Sequence, residues 1–95
     1  MAAADECVIV EDAAVTMPLR DQSFPLTAID NVNLRAVDGK IRCEAAGAEM
    51  VCSFEGPGML IVDAPGRPLL LISFAADGTG EARISNSGDV SCLVN

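Results

Sequence analysis

The sequence predicts an all-β fold, a small antiparallel β-sandwich of about eight or nine short strands held by disulfides. Three observations predict it. Apolar and polar residues alternate with period two from Val32 to Val37, from Lys40 to Ala45 and again from Met50 to Glu55, the spacing of a strand with one buried face. Turn signals rich in Gly, Pro, Asn and Asp recur at intervals of about ten residues. No stretch of useful length carries the 3.6-residue period of a helix.

In chain order, Cys7 to Val10 is apolar and β-branched and reads as the first strand, broken by Glu11 and Asp12. Ala13 to Met17 reads as a short second strand, stopped at Pro18. Arg20 to Pro25 reads as a loop, with Phe24 as a plug over the core edge, and Leu26 to Ile29 fits either a turn of helix or a lead-in strand. The central meander follows. Val32, Leu34 and Ala36 face one way, and Asp38-Gly39 signals a two-residue hairpin, because a type I′ turn needs positive φ at both central positions. That turn places Ala36 opposite Ile41, Leu34 opposite Cys43 and Val32 opposite Ala45. A second reversal at Ala46-Gly47-Ala48-Glu49 then places Ala45 opposite Met50, Cys43 opposite Cys52 and Ile41 opposite Phe54.

Beyond the meander, Gly56-Pro57-Gly58 reads as a turn, Met59 to Val62 as a strand, and Asp63 to Pro68 as another turn. Leu69 to Phe74 is a continuous apolar run, as in a strand buried on both faces. After a turn at Ala76 to Gly80, the strand from Glu81 to Ser85 points Ala82 and Ile84 inward. Asn86 to Asp89 turns once more, and Val90, Cys92 and Val94 close the chain facing inward. An immunoglobulin-like sandwich is the nearest architecture, although Trp is absent and the cysteine spacing differs from that of a true immunoglobulin domain. With 95 residues and no linker or repeat, residues 1–95 form one domain, and residues 1–6 read as a flexible N-terminal segment.

The four cysteines and the absence of histidine shape the chemistry. Zinc sites use short Cys-x2–4-Cys knuckles or histidine, and the closest cysteines here are Cys43 and Cys52, so no metal is expected. An even cysteine count in a short chain favours disulfides and an oxidising compartment. The meander register pairs Cys43 with Cys52, counted as a hydrogen-bonded pair with Cα atoms about 5.5 Å apart. Cys7 with Cys92 then ties the two ends together. The start Met1-Ala2-Ala3-Ala4-Asp5-Glu6-Cys7 resembles the small-residue neighbourhood of a processed N-terminus. Together these point to a periplasmic or secreted protein. No apolar run is long enough for a membrane span, so insertion is not expected.

Charge narrows the partners. The net charge of -8, from 14 acidic and 6 basic residues, disfavours nucleic acid and anionic membranes and would steer a basic protein inward. Half of the basic residues, Arg35, Lys40 and Arg42, fall on the solvent face of the meander, with Arg35 and Arg42 placed opposite each other at a cost that an anionic partner or Glu44 would relieve. These three are the candidate binding residues. The N-terminal cluster Asp5, Glu6, Glu11 and Asp12 is a lesser candidate, and Asp77 to Glu81 lacks the ligand pattern of a calcium loop. Catalysis has little to work with: no histidine serves as general base, no Cys-x-x-Cys serves redox exchange, and no cofactor motif is present. The function expected is therefore non-catalytic surface binding of another protein by an exported inhibitor, immunity or chaperone-like module. The alternative is a structural subunit of a cell-envelope assembly.

Overall fold

A computed structural model describes residues 6–94. The protein is predominantly β, and every strand pairing is antiparallel. Among the described residues, seven strands and one helix follow in the order β1 (Cys7–Val10), α1 (Ala13–Asp21), β2 (Phe24–Ile29), β3 (Val32–Ala46), β4 (Glu49–Asp63), β5 (Leu70–Phe74), β6 (Thr79–Ser85) and β7 (Val90–Val94). The expectation of a flexible segment over residues 1–6 falls, apart from Glu6, outside the described residues, and so does Asp5.

The strands are fewer than expected because β3 and β4 are each 15 residues long. The hairpin expected at Asp38-Gly39 does not form. β3 continues through this point as one strand, and Ala36 and Leu34 face Leu60 and Val62 of β4 rather than Ile41 and Cys43. Two irregularities in the ladder flank Asp38, and Gly39 adopts φ 88. The apolar positions of β3 are even-numbered before this point and odd-numbered after it. A turn restores the buried face across such a shift, and so does a bulge. The bulge forms here because Gly56-Pro57-Gly58, expected as a turn, lies inside β4 directly across from it. A Cβ on Gly39 would overlap Pro57 and come within 2.6 Å of Gly58 Cα, so the two strands bend together only because both positions lack one.

The bend divides the sheet into two limbs. One side of β4 pairs with β3 throughout, and the other pairs with β6 over Glu49–Glu55 and with β5 over Gly58–Val62. One limb is thus ordered β1-β5-β4-β3-β2, and the other adds β6 and β7 beyond the first half of β4. The inner faces of both limbs supply the main core: Val32, Leu34, Leu60, Val62, Ile72 and Phe74 from the first, and Met50, Cys52, Phe54, Ala82 and Ile84 from the second. Phe54 stacks on Phe74 with ring centroids 5.0 Å apart, a contact of about 0.5–1.5 kcal/mol beyond its area. Phe74 in turn covers Gly80, where any side chain would collide with the ring.

The outer face of the first limb carries α1. Ala13 to Met17, expected as a strand, is helical because Asp12 caps it: its side chain accepts from the Ala14 amide at 3.0 Å, and its carbonyl accepts from the Thr16 hydroxyl at 2.7 Å. Thr16 and Leu19, three positions apart and so on one face, turn toward the sheet. Leu19 packs with Val10, Val37 and Met59 around buried Ile61, Leu69 and Leu71. The run at Leu69–Phe74 is therefore buried on both faces, as expected. Phe24 is not the expected plug: it begins edge strand β2 and is 72% exposed.

Both disulfides form with the expected connectivity, Cys43–Cys52 and Cys7–Cys92. The first is a correction in type. Ala46 pairs with Glu49 around a two-residue turn, so Cys43 and Cys52 are a non-hydrogen-bonded pair, with Cα atoms 3.9 Å apart rather than the wider spacing expected. The second links β1 to β7, the two strands at the outer ends of the limbs, with Cα atoms 6.3 Å apart.

Candidate functional site

The six basic residues divide into two groups by what they touch. Arg20 bridges Asp63 at 3.0 Å, tying α1 to β4, and Arg67 reaches Asp89 and the Ser87 carbonyl at 2.9 Å each. Arg83 lies between Glu81 at 3.3 Å and Glu49 at 3.5 Å. Arg35 donates to the Ser23 hydroxyl at 2.6 Å and to the Ser23 carbonyl at 3.0 Å, pinning the segment between α1 and β2. Of the six basic residues, all among the described ones, only Lys40 and Arg42 have no ion pair or side-chain hydrogen bond, and both are exposed.

The expected grouping of Arg35 with Lys40 and Arg42 is therefore split. Arg35 faces Ile61 in register and Arg42 faces Ser53, so the two guanidinium groups are not opposed. The reason is the bulge: Arg35 precedes it and lies on the helix-covered face of the first limb, whereas Lys40 and Arg42 follow it on the outer face of the second. There they border an open hollow of about 520 Å³ lined also by Gly39, Ile41, Glu44, Ser53 and Glu55. Glu55 lies opposite Lys40 in register without an ion pair.

The backbone adds a second feature that the sequence reading did not separate from the charges. β2 covers β3 only over Val32–Ala36. Among the described residues, no strand neighbours the same side of β3 from Lys40 to Ala46. Unpaired cations and an unpaired strand edge thus coincide on one segment of seven residues.

Elsewhere, Asp89 sits at the tip of the β6–β7 turn. The hydrogen bond from Arg67, then the charge of Arg67, then a hydrogen bond from Ser87, hold its carboxyl below the usual carboxylate range. All four cysteines are in disulfides, so no thiolate is available for a metal or a nucleophile. Among the described residues no helix is long and apolar enough to cross a membrane. No protein family, curated protein or solved structure matches the chain.

Proposed function

We propose that the chain is an exported, non-catalytic binding module that acts on another polypeptide through the outer side of the Lys40–Ala46 segment of β3. One observation carries the reading: the two cations without internal partners among the described residues lie beside the strand edge that no described strand covers. Cations retained free on a chain with 14 acidic residues suit a carboxylate on the partner. The net charge of -8 draws basic surfaces from a distance, so a partner with a basic field and an acidic contact point fits both. The two disulfides agree with an oxidising compartment, periplasmic or secreted.

A second reading, a subunit of an envelope assembly, draws on apolar side chains exposed away from this segment. Val15 and Met17 stand out from α1, and Leu93 on β7 is 60% exposed. Capture from the native source by the immobilised, oxidised protein separates the two. One soluble partner at unit stoichiometry, lost on Lys40→Glu and retained on Arg83→Ala, supports the module. A multi-protein envelope complex that ignores Lys40→Glu supports the second reading and sinks the first.

A further inference from the structure

The free edge of β3 has a definite phase. Ala46–Glu49 closes the Gly47-Ala48 turn as a hydrogen-bonded pair, so Lys40, Arg42, Glu44 and Ala46 bond to β4. The amides and carbonyls of Ile41, Cys43 and Ala45 point the other way, into the open. Side chains alternate independently: Lys40, Arg42 and Glu44 lie on the outer face, while half-buried Ile41 and Cys43 lie on the inner face with Ala45. An exposed strand edge is a template for another strand.

We infer that this edge pairs with the same edge of a second copy of the chain, antiparallel, about a two-fold axis at Cys43. Charge selects that register. The open groups sit on odd-numbered residues, so bonding registers place odd opposite odd. Centred on Arg42, two guanidinium groups oppose each other; centred on Glu44, two carboxylates do. Centred on Ile41, Lys40 faces the partner's Arg42. Centred on Ala45, the strand runs out at the Gly47 turn. Only the register centred on Cys43 sets Arg42 against the partner's Glu44, and symmetry repeats the pair.

In that register Ile41 with the partner's Ala45, Cys43 with the partner's Cys43, and Ala45 with the partner's Ile41 are hydrogen-bonded pairs, each exchanging two bonds. The Arg42–Glu44 contacts occupy the intervening close pairs, where opposite charges attract most. The partner's Gly47-Ala48 turn ends beside Asp38 and Gly39, short of Phe24, which sits opposite Ala36. β2 therefore does not obstruct the pairing. Lys40 faces the partner's Ala46 and keeps its ammonium free, but the dimer uses the same edge and Arg42, so a second copy and the polypeptide partner proposed above exclude each other there. Sedimentation of the chain alone tests the dimer without that reading.

The test is sedimentation of the oxidised protein over a concentration series at about 0.15 M salt, where the repulsion between chains of charge -8 is screened beyond about 8 Å. The wild type forms a concentration-dependent dimer. Arg42→Glu and Glu44→Arg each weaken it by about tenfold or more, because each sets like charges opposite. A mixture of the two variants associates more tightly than either alone, since every reversed side chain then meets its opposite, and that gain also shows that both variants are folded. A wild type that stays monomeric to about millimolar concentration overturns the inference. So does a dimer that neither reversal weakens, or a mixture no tighter than its components.

Discussion

Six basic side chains of the same formal charge do three different jobs, and position in the fold decides which. Arg35 is half-buried and spends its donors on Ser23, so it holds the chain where α1 gives way to β2. Arg35→Ala is expected to lower stability by about 1–2 kcal/mol, read by denaturant unfolding, while partner capture by the folded fraction is unchanged. Lys40→Glu is expected to do the reverse, abolishing capture with a melting temperature within about a degree or two of wild type. Arg67 serves a third role, as a clasp between the loop after β4 and the β6–β7 turn. Its carboxylate partner, Asp89, has a folded-state pKa below that of the unfolded chain. A lowered carboxyl pKa adds stability above the unfolded value of about 4, and that stability is lost as pH falls through the folded value. The melting temperature of Asp89→Asn should therefore lie below wild type at pH 6, and the gap should close toward pH 2. A gap that is constant with pH contradicts the ionic role of the clasp.

At the level of elements, the alternation in β3 was legible to the residue, but the connection at Asp38-Gly39 was not. The shift of the apolar positions from even to odd demands a local irregularity, and a tight turn and a bulge satisfy that demand equally. What decides between them is Gly56-Pro57-Gly58, far along the chain, which provides a matching soft point in β4. That pairing is a tertiary fact. The same limit applies to α1, whose inward face is only Thr16 and Leu19 and is too short for a period to show. Its one sequence signal is Asp12 ahead of Ala13-Ala14, a cap that Pro18 obscures. By contrast, the register and disulfide from Cys43 to Cys52 are as the sequence predicts, because the alternation and the cysteines are local; the type of the pair is not, because it was counted from the Asp38-Gly39 hairpin that does not form. For the site, Lys40 and Arg42 were legible as exposed charges, whereas their lack of partners and the open edge beside them depend on where β2 ends. Gly39→Ala should cost about 3 kcal/mol, since it combines a left-handed φ with overlap against β4. An unchanged unfolding midpoint would remove the bend as the reason for glycine there.

Across the whole molecule, two covalent links act at different ranges. Cys43–Cys52 spans 9 residues within one hairpin, whereas Cys7–Cys92 spans 85 and joins the outer strands of both limbs. Loop-closure entropy scales with the logarithm of that span, giving about 2–3 kcal/mol for the short link and about 4–5 kcal/mol for the long one. Chemical denaturation of Cys43→Ala with Cys52→Ala, beside Cys7→Ala with Cys92→Ala, should show the second pair to be the more destabilised. The reverse order would mean that the hairpin link carries the fold. With the limbs fixed in this way, the surface differs from segment to segment in what it leaves unpaired, and the outer half of β3 leaves both charge and backbone.

Amide hydrogen exchange along β3, in oxidised protein diluted until sedimentation shows only monomer, tests that account most directly. It predicts an alternation: slow exchange at Lys40, Arg42 and Glu44, whose amides bond to β4, and fast exchange at Ile41, Cys43 and Ala45, whose amides face the open edge. Uniform protection from Lys40 to Ala45 would mean that the edge is already covered, and an inverted alternation would put the register out by one residue. Either result would contradict β3 as the contact element.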